Sequence, residues 1–236
     1  MTRWDPKLKT TISDLEVIQK EVKGSLWYID YKLENEDKVI TIATTRPETM
    51  LGDTAIAVHP EDERFKDFIG KYAYIPIINK KIIIIADEYV KVEQGTGALK
   101  ITPAHDFNDY EIGKRHNLEV INIFNENAEL NENCPIEYQT LDRFKARTKI
   151  VKELENIGAL NKVEENIHTV PYGDRSGEVV ETWLTDQWFV NAKHLSISAI
   201  SKVKTKETIF IPQNWEKTYF DWMENIQPWC ISRQLI

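Results

Sequence analysis

Short runs of β-branched and aromatic residues, cut at close intervals by glycine and proline, most limit the folds open to this chain. Residues 26–33, 39–45, 55–58, 72–78, 81–86, 98–102 and 120–124 each read as a strand. Gly52, Pro60, Gly70, Pro76, Gly95, Gly97 and Pro103 punctuate them, and such residues turn the chain and interrupt ladders. This pattern predicts a β-barrel or a strongly curved sheet. Two helices break the series. Residues 107–116 follow Asp106, a good N-cap. Residues 141–157 carry Leu141, Phe144, Val151, Leu154 and Ile157 at helical spacing and stop at Gly158, a C-cap signal. The expected fold is mixed and β-rich, of the α+β class, with peripheral helices packed on a barrel.

Beyond about Val163 the character changes. Strand-like pieces at 178–182 and 187–190 precede a short helix at 193–203. Residues 210–236 then bring Trp215, Trp222 and Trp229, and aromatics of that size near a terminus usually belong to a core or an interface. A hydrophobic fraction of 42% sustains a core, and 29% charged residues cover a soluble surface. The longest apolar run, Ile82-Ile83-Ile84-Ile85-Ala86, falls far short of the roughly 20 residues that span a bilayer. Met1 to Pro6 shows no apolar leader. Cys134 and Cys230 form no CxxC pair, which argues against a disulfide framework and a thiolate zinc site. A reducing cytoplasm is the compartment expected. The net charge of -8 means that any basic strip for nucleic acid is local, with most phosphate affinity supplied from elsewhere.

Two blocks carry the chemistry: Thr44-Thr45-Arg46-Pro47-Glu48-Thr49 and Lys100-Ile101-Thr102-Pro103-Ala104-His105-Asp106. Each is a strand running into a polar turn. Together they offer hydroxyls, a guanidinium, an ammonium and carboxylates, without a nucleophilic triad. That set suits a pocket that binds a small zwitterion and positions water, not one that forms a covalent intermediate. Strand alternation puts Lys100 and Thr102 on one face and sends Thr44 and Thr45 to opposite faces. Asp106 and Asp109 have the spacing of N-cap and N3, where acids also favour the helix dipole, so capping and ligand binding are both open for them. Arg46 can pair with Glu48 or Asp53. His105 has no Ser or Cys motif to activate. Asp53 and His59 lack the companions of a metal site.

These blocks resemble a known family. Residues 44–64 read TTRPETMLGDTAIAVHPEDER and residues 95–118 read GTGALKITPAHDFNDYEIGKRHNL. With residues 172–177, 184–190 and 214–220, they are similar to the editing insertion of bacterial valyl-tRNA synthetases, over nearly the whole chain. The leucyl enzymes usually carry Asp where Glu48 stands, and the isoleucyl enzymes Thr-Pro-Trp around Arg46-Pro47-Glu48. The resemblance implies an outgoing connection at 1–21, an editing β-barrel at 22–165 and a return connection at 166–236. A β-ribbon or stem would then lead from both termini toward a catalytic domain outside this chain. The family's His-Ile-Gly-His and Lys-Met-Ser-Lys-Ser type blocks do not occur here. ATP and magnesium would accordingly belong to that other domain, and no metal or cofactor is expected of this chain.

The implied reaction is hydrolysis of threonyl-tRNA(Val). A valine pocket rejects the hydroxyl isostere threonine only about 10²-fold, this family being the known illustration, so a second site must remove the error. By resemblance Asp109 anchors the α-ammonium. Asp106 caps its helix and leaves an oxygen for the threonine hydroxyl. Lys100 binds the ester carbonyl oxygen, the developing oxyanion or a phosphate, beside Thr102. Thr45 lines the pocket while Thr44 packs or caps, and Thr49 is a further candidate. Arg46, oriented by Glu48, meets the terminal phosphate or ribose, for which its fork is suited. His105 adds a substrate contact. Many members have an aromatic before Gly95-Thr96-Gly97; here stands Gln94, so a hydrogen bond would replace stacking on the terminal adenosine. Lys91 and Val92 also depart from the usual residues. The implied partners are the acceptor end of tRNA(Val) and the rest of the synthetase, with no membrane and no obligate protein partner. Two rival readings are a non-catalytic acceptor-end positioning module and a threonine sensor. Release of threonine from charged tRNA separates them.

Overall fold

The computed structural model describes residues 1–234; the last two residues of the expected return connection lie outside the described residues. Strands β1 (Thr2–Asp5) and β2 (Thr10–Ile12) form a small antiparallel pair. The chain then enters β3 (Val17–Leu33), β4 (Val39–Thr44), a short 3-10 turn over Pro47–Gly52, and β5 (Ala55–Val58). Strands β6 (Tyr72–Tyr74), β7 (Lys81–Ala86) and β8 (Ala98–Ile101) follow, then helices α1 (Phe107–Arg115) and α2 (Arg143–Asn156). The remainder comprises β9 (Leu160–Gly173), β10 (Glu181–Trp183), β11 (Phe189–Val190), α3 (Ala192–Lys204), α4 (Trp215–Glu224) and β12 (Trp229–Cys230).

The main sheet runs β4-β3-β6-β7-β5-β8, with β9 also paired to β3. Among the described residues, only β5 and β7 pair in parallel. The sheet curls until β4 and β8 lie against each other, without a ladder between them among the described residues. The result is the expected β-rich α+β fold, with a curled, half-barrel sheet. Strand β3 is its spine. One edge holds β4; the other holds β9 along Val17 to Ile29 and then β6 at Lys32 and Leu33. The expected boundaries at 21/22 and 165/166 fall inside this continuous β3–β9 ribbon. Its distal half mixes apolar side chains such as Ile18, Val22, Ile167 and Val170 with charged ones, all of them half-buried or exposed, and ladder bonds and surface pairs such as Lys20 over the Tyr172 ring, 4.5 Å away, hold it.

The core follows strand alternation. Ile29, Tyr31, Ile40, Ile42, Ile56 and Ile84 are wholly buried, and α2 closes over them with Ile150 and Leu154. Strand β5 is buried on both faces. Ile56 and Val58 enter the main core, while Ala55 and Ala57 face the cluster that holds Ile112 of α1. Small residues let that helix approach. Gly113 does the same, since a Cβ there would stand 2.9 Å from the ring of Pro103.

Four expectations are corrected. Residues 120–124 form no strand: Phe124 makes an isolated bridge to Leu130, and side chains take the neighbouring backbone donors, Ile123 N–H giving to His105 and Phe124 N–H to Asn122. The strand at 72–78 ends at Tyr74, before Pro76 and the left-handed Ile77. Helix α2 buries Arg143, Ala146, Ile150 and Leu154, not the stripe through Phe144 and Ile157, which are exposed. Of the two places expected for Trp215, Trp222 and Trp229, a core or an interface, the core is ruled out among the described residues, since each is exposed by more than half.

Candidate active site

Register brings the two polar blocks together. Strand β5 pairs antiparallel with β8, setting Ile56 opposite Lys100 and Ala55 opposite Ile101. Asp53, just before β5, therefore meets Thr102, just after β8. Asp53 Oδ1 accepts from Lys100 Nζ at 2.8 Å and from the Thr102 hydroxyl at 2.6 Å. Its Oδ2 accepts from the Tyr31 hydroxyl at 2.8 Å. Lys100 Nζ also donates to Thr102 Oγ1.

Past β8 the chain turns into α1. Asp106 caps that helix, its Oδ1 accepting from the N–H groups of Asn108 at 2.8 Å and Asp109 at 3.1 Å. Asp109 does not close a reciprocal capping box. Its Oδ2 reaches back to the Thr102 N–H at 2.9 Å, which holds the carboxylate at the junction of β8 and α1. On the opposite wall, Thr44 Oγ1 accepts from the Arg46 N–H at 3.0 Å and Thr49 donates to the Arg46 carbonyl at 3.0 Å. These bonds tie down the turn that carries Arg46.

The walls enclose a cleft of about 1100 Å³. Of the residues expected at a site, Thr44, Thr45, Arg46, Thr49, Gln94, Lys100, Thr102, His105, Asp106 and Asp109 all border it. Glu48 does not; it is wholly buried beneath. A second cleft of about 1180 Å³ opens on the other side of Thr45, Arg46, His105 and Asp106, toward the ribbon and the residues around Trp229.

Burial raises the Asp109 carboxyl to about 7; nearby Asp106 adds to this and Lys100 opposes it. A half-protonated carboxyl in a cleft is ready to ionise against an incoming cation. Burial likewise pushes Asp53 above its ordinary range, against the pull of Lys100 and three donated hydrogen bonds. Burial and the Asp53 charge hold the Tyr31 phenol well above its usual range, so it remains a donor.

His105 borders the cleft, but its ring offers nothing to a ligand. Burial, and then the Arg46 charge, lower it to about 3, so it is neutral. Its Nε2 accepts from the Ile123 N–H at 2.9 Å, and Nδ1 stands 3.4 Å from the Thr182 carbonyl. It braces backbone, which corrects the expectation of a substrate contact.

Arg46 is also engaged. Its Nε donates to Glu48 at 3.0 Å and its Nη2 to both oxygens of Glu181, at 3.0 and 2.8 Å. Glu48 is gripped from the far side by Arg147 of α2, at 2.7 and 2.9 Å, and Glu181 by Arg143 at 2.9 Å. Of the pairings open to Arg46, that with Glu48 forms and that with Asp53 does not. Burial works against the Arg46 charge, but Glu181 and Glu48 outweigh it and raise its basicity. Arg46 Nη1 alone has no protein partner among the described residues.

Sequence reasoning missed Tyr31, Arg143, Arg147 and Glu181, and weighed Asp53 only as a partner for Arg46 or a metal ligand. Two signals were present. Tyr31 places a hydroxyl on the apolar inner face of β3, and Arg143 and Arg147 stand four residues apart on one helix face. Among the described residues no group of three or more His, Cys, Asp or Glu is placed to hold a metal. No helix there is long and apolar enough to cross a membrane.

Comparison with known proteins adds a family. The model for tRNA synthetases of class I (I, L, M and V) matches residues 1–236. The chain is 61% identical over 235 residues to a valine--tRNA ligase of Pelagibacter ubique, covering 100% of this chain and 27% of that protein. A valine--tRNA ligase of Francisella tularensis is 55% identical over 235 residues, with 100% and 26% covered. The chain thus spans about a quarter of the length of these relatives. A solved ternary complex of Agrobacterium radiobacter K84 agnB2 LeuRS with tRNA and LeuAMS superposes with a TM-score of 0.49 at 16% identity, over 71% of this chain and 30% of that one.

Proposed function

The chain belongs to the tRNA synthetases of class I (I, L, M and V), and from that premise we propose that it is the proofreading part of a cytoplasmic valine--tRNA ligase. It hydrolyses the ester of threonyl-tRNA(Val) with a held water. The rest of the synthetase would join valine to tRNA with ATP and magnesium. The proofreading step itself uses no metal or redox cofactor.

One observation carries this reading: a single cleft holds a carboxyl with a pKa near 7, a capped carboxylate, a hydroxyl and an ammonium, at Asp109, Asp106, Thr45 and Lys100. Asp109 takes the α-ammonium of threonine through the oxygen not bonded to Thr102. Asp106, whose Oδ1 is occupied by the helix cap, offers Oδ2 to the threonine hydroxyl. Lys100 has three N–H groups; two are held by Asp53 and Thr102, and the third meets the ester carbonyl oxygen, where negative charge develops. Valine lacks the hydroxyl, so it would leave Asp106 desolvated and unpaired. Arg46 Nη1 and Gln94 meet the terminal nucleotide at the cleft mouth.

The test is release of amino acid from tRNA(Val) charged with threonine or with valine. Threonine should be released and valine retained. Asp109→Ala should slow the release by roughly ten- to a hundredfold, the worth of one charge-assisted contact. Equal release of both amino acids, or normal release by a folded Asp109→Ala protein, would refute the reading. Tight binding of free threonine without any hydrolysis would favour a sensor instead.

A further inference from the structure

Strand β10 pairs with β1 in the small sheet and, among the described residues, forms no ladder with the main sheet. Its residues nevertheless reach across to the cleft wall and the main core, one after another. Glu181 meets Arg46 and Arg143, the Thr182 carbonyl stands 3.4 Å from His105 Nδ1, and Trp183 Nε1 donates to the Phe124 carbonyl at 3.2 Å. The place of Glu181 is therefore fixed by its neighbours as well as by its own contacts.

The Glu181 side chain is buried. Its two oxygens accept from Arg46 Nη2 at 3.0 and 2.8 Å, and Oε1 also accepts from Arg143 Nη1 at 2.9 Å. A buried ion pair is a poor source of stability, because desolvation rivals the attraction gained. What the arrangement does supply is direction. A guanidinium is planar and carries its donors in a fixed fork. Glu48 alone, bonded at Nε, would let that plane pivot about one contact. Glu181 at Nη2 removes the freedom, so Nη1 is the nitrogen left to face a ligand in the cleft that Arg46 borders. The charge survives this clamping. Each carboxylate is shared with a second guanidinium, Glu48 with Arg147 and Glu181 with Arg143. A further carboxylate, Glu178, touches only the far end, at Arg143.

We propose that Glu181, supplied by the small sheet, is a positioning residue that aims Arg46 Nη1 at the phosphate of the terminal nucleotide. The assignment rests on the reading above, in which the cleft receives the acceptor end of tRNA. Glu181 touches no part of that substrate. It acts on a polyanion in two opposed ways: its charge repels RNA, and its grip directs the cation that binds RNA. The grip outweighs the repulsion.

The experiment measures binding of an unacylated acceptor-stem minihelix by fluorescence anisotropy across a salt series, and threonine release from the same minihelix charged with threonine. The chains compared are wild type, Glu181→Gln, Glu181→Asp, Arg46→Gln and the Glu181→Gln/Arg46→Gln double variant. Near-ultraviolet circular dichroism checks that each is folded. Repulsion alone predicts tighter binding by Glu181→Gln. Positioning predicts the reverse: Kd and KM should rise about three- to thirtyfold, part of the worth of a charge-assisted hydrogen bond, with kcat changed less than about threefold. The slope of log affinity against log salt should shrink by about 0.7, the share of one phosphate in an unpaired strand, as it should in Arg46→Gln. Glu181→Asp keeps the charge but is one methylene short, and it should weaken binding too. In the Arg46→Gln background Glu181→Gln should add little, because residues acting as a unit are not additive. Tighter or unchanged binding by a folded Glu181→Gln protein overturns the assignment, as does full additivity with Arg46→Gln. If Glu181→Gln does not fold, Glu181→Asp decides, and unchanged binding there overturns it. If neither folds, the wild-type chain decides by NMR of isotope-labelled arginine. Adding the minihelix should move the Arg46 Nη1 signal and leave Nη2 in place, and equal shifts of both overturn the assignment. A wild-type chain that binds the minihelix but releases no threonine overturns the hydrolytic reading alone, and one that does not bind it overturns both.

Discussion

Asp109 stands between two opposed demands. It must be charged to hold an ammonium, yet it is 8% exposed and lies near Asp106. The carboxyl is raised from an ordinary 3.8 to about 7, so the folded state binds its proton more tightly than the unfolded chain does. Its contribution to stability is full below about pH 4 and is lost as pH rises through about 7. The difference corresponds to about 4 kcal/mol at most. Asp109→Asn keeps an acceptor for the Thr102 N–H and removes the charge. At pH 8 the variant should be more stable than wild type by about 1–3 kcal/mol, and the gain should vanish near pH 4. Its threonine release should fall at the same time, and the acid limb of kcat/KM near pH 7 should disappear. Urea melts at both pH values check the first part; a variant less stable than wild type at pH 8 would sink it. At this scale the sequence was legible wherever local spacing carries the role. The Asp106 cap and its neighbour Asp109 follow from helix geometry, and Lys100 with Thr102 from strand alternation. Asp53 was not legible, because its partners come from β3 and β8, and it is the register of β5 on β8 and the curl of the sheet toward β3, not local spacing, that unite them. Read locally, it is one more turn residue after Gly52.

Helix α2 shows how a single element can be found and its face misread. Its ends agree with the Asp142 cap, which accepts from the Phe144 and Lys145 N–H groups, and with left-handed Gly158. Hydropathy pointed to a stripe through Phe144, Leu154 and Ile157; of these only Leu154 is buried, beside Arg143, Ala146 and Ile150. Arginine is buried here because carboxylates meet it: Glu181 and Glu178 at Arg143, and Glu48 at the neighbouring Arg147. These partners lie on remote segments that periodicity cannot supply. The alternating chain Arg147–Glu48–Arg46–Glu181–Arg143 joins α2, the cleft wall and β10. Removing one end should therefore be felt across three elements. Arg147→Met leaves the wholly buried Glu48 with Arg46 alone, and should cost about 1–3 kcal/mol. The exposed Lys66–Glu63 pair serves as the control, and Lys66→Met should leave the denaturant midpoint essentially unchanged. Denaturant midpoints at constant slope measure both. Equal, small effects would mean that the network is only a surface feature.

At the scale of the whole molecule, charge and site pull apart. The chain carries a net charge of -8, yet the substrate proposed for it is a polyanion. Within the cleft two of the cations are already engaged: Lys100 with Asp53, and Arg46 with Glu48 and Glu181. What remains for tRNA is local, chiefly Arg46 Nη1, Lys91 at the first cleft and Lys23 at the second. Few phosphates can be neutralised by so small a set, so affinity for tRNA should be weak and should fall steeply as salt displaces those contacts. The groups proposed to handle the aminoacyl ester, from Thr45 to Asp109, all border one cleft and do not depend on distant parts of the tRNA. A minihelix carrying only the acceptor stem and threonine should therefore be hydrolysed nearly as fast as full-length threonyl-tRNA(Val) at saturation. It should also show nearly the same salt dependence. Initial rates on the two substrates across a salt series make the comparison. If full-length tRNA were preferred several hundredfold at every salt concentration, the chain would have to read remote tRNA features. The acidic surface described here offers little to read them with, and the view of this chain as an acceptor-end proofreading unit would then be wrong.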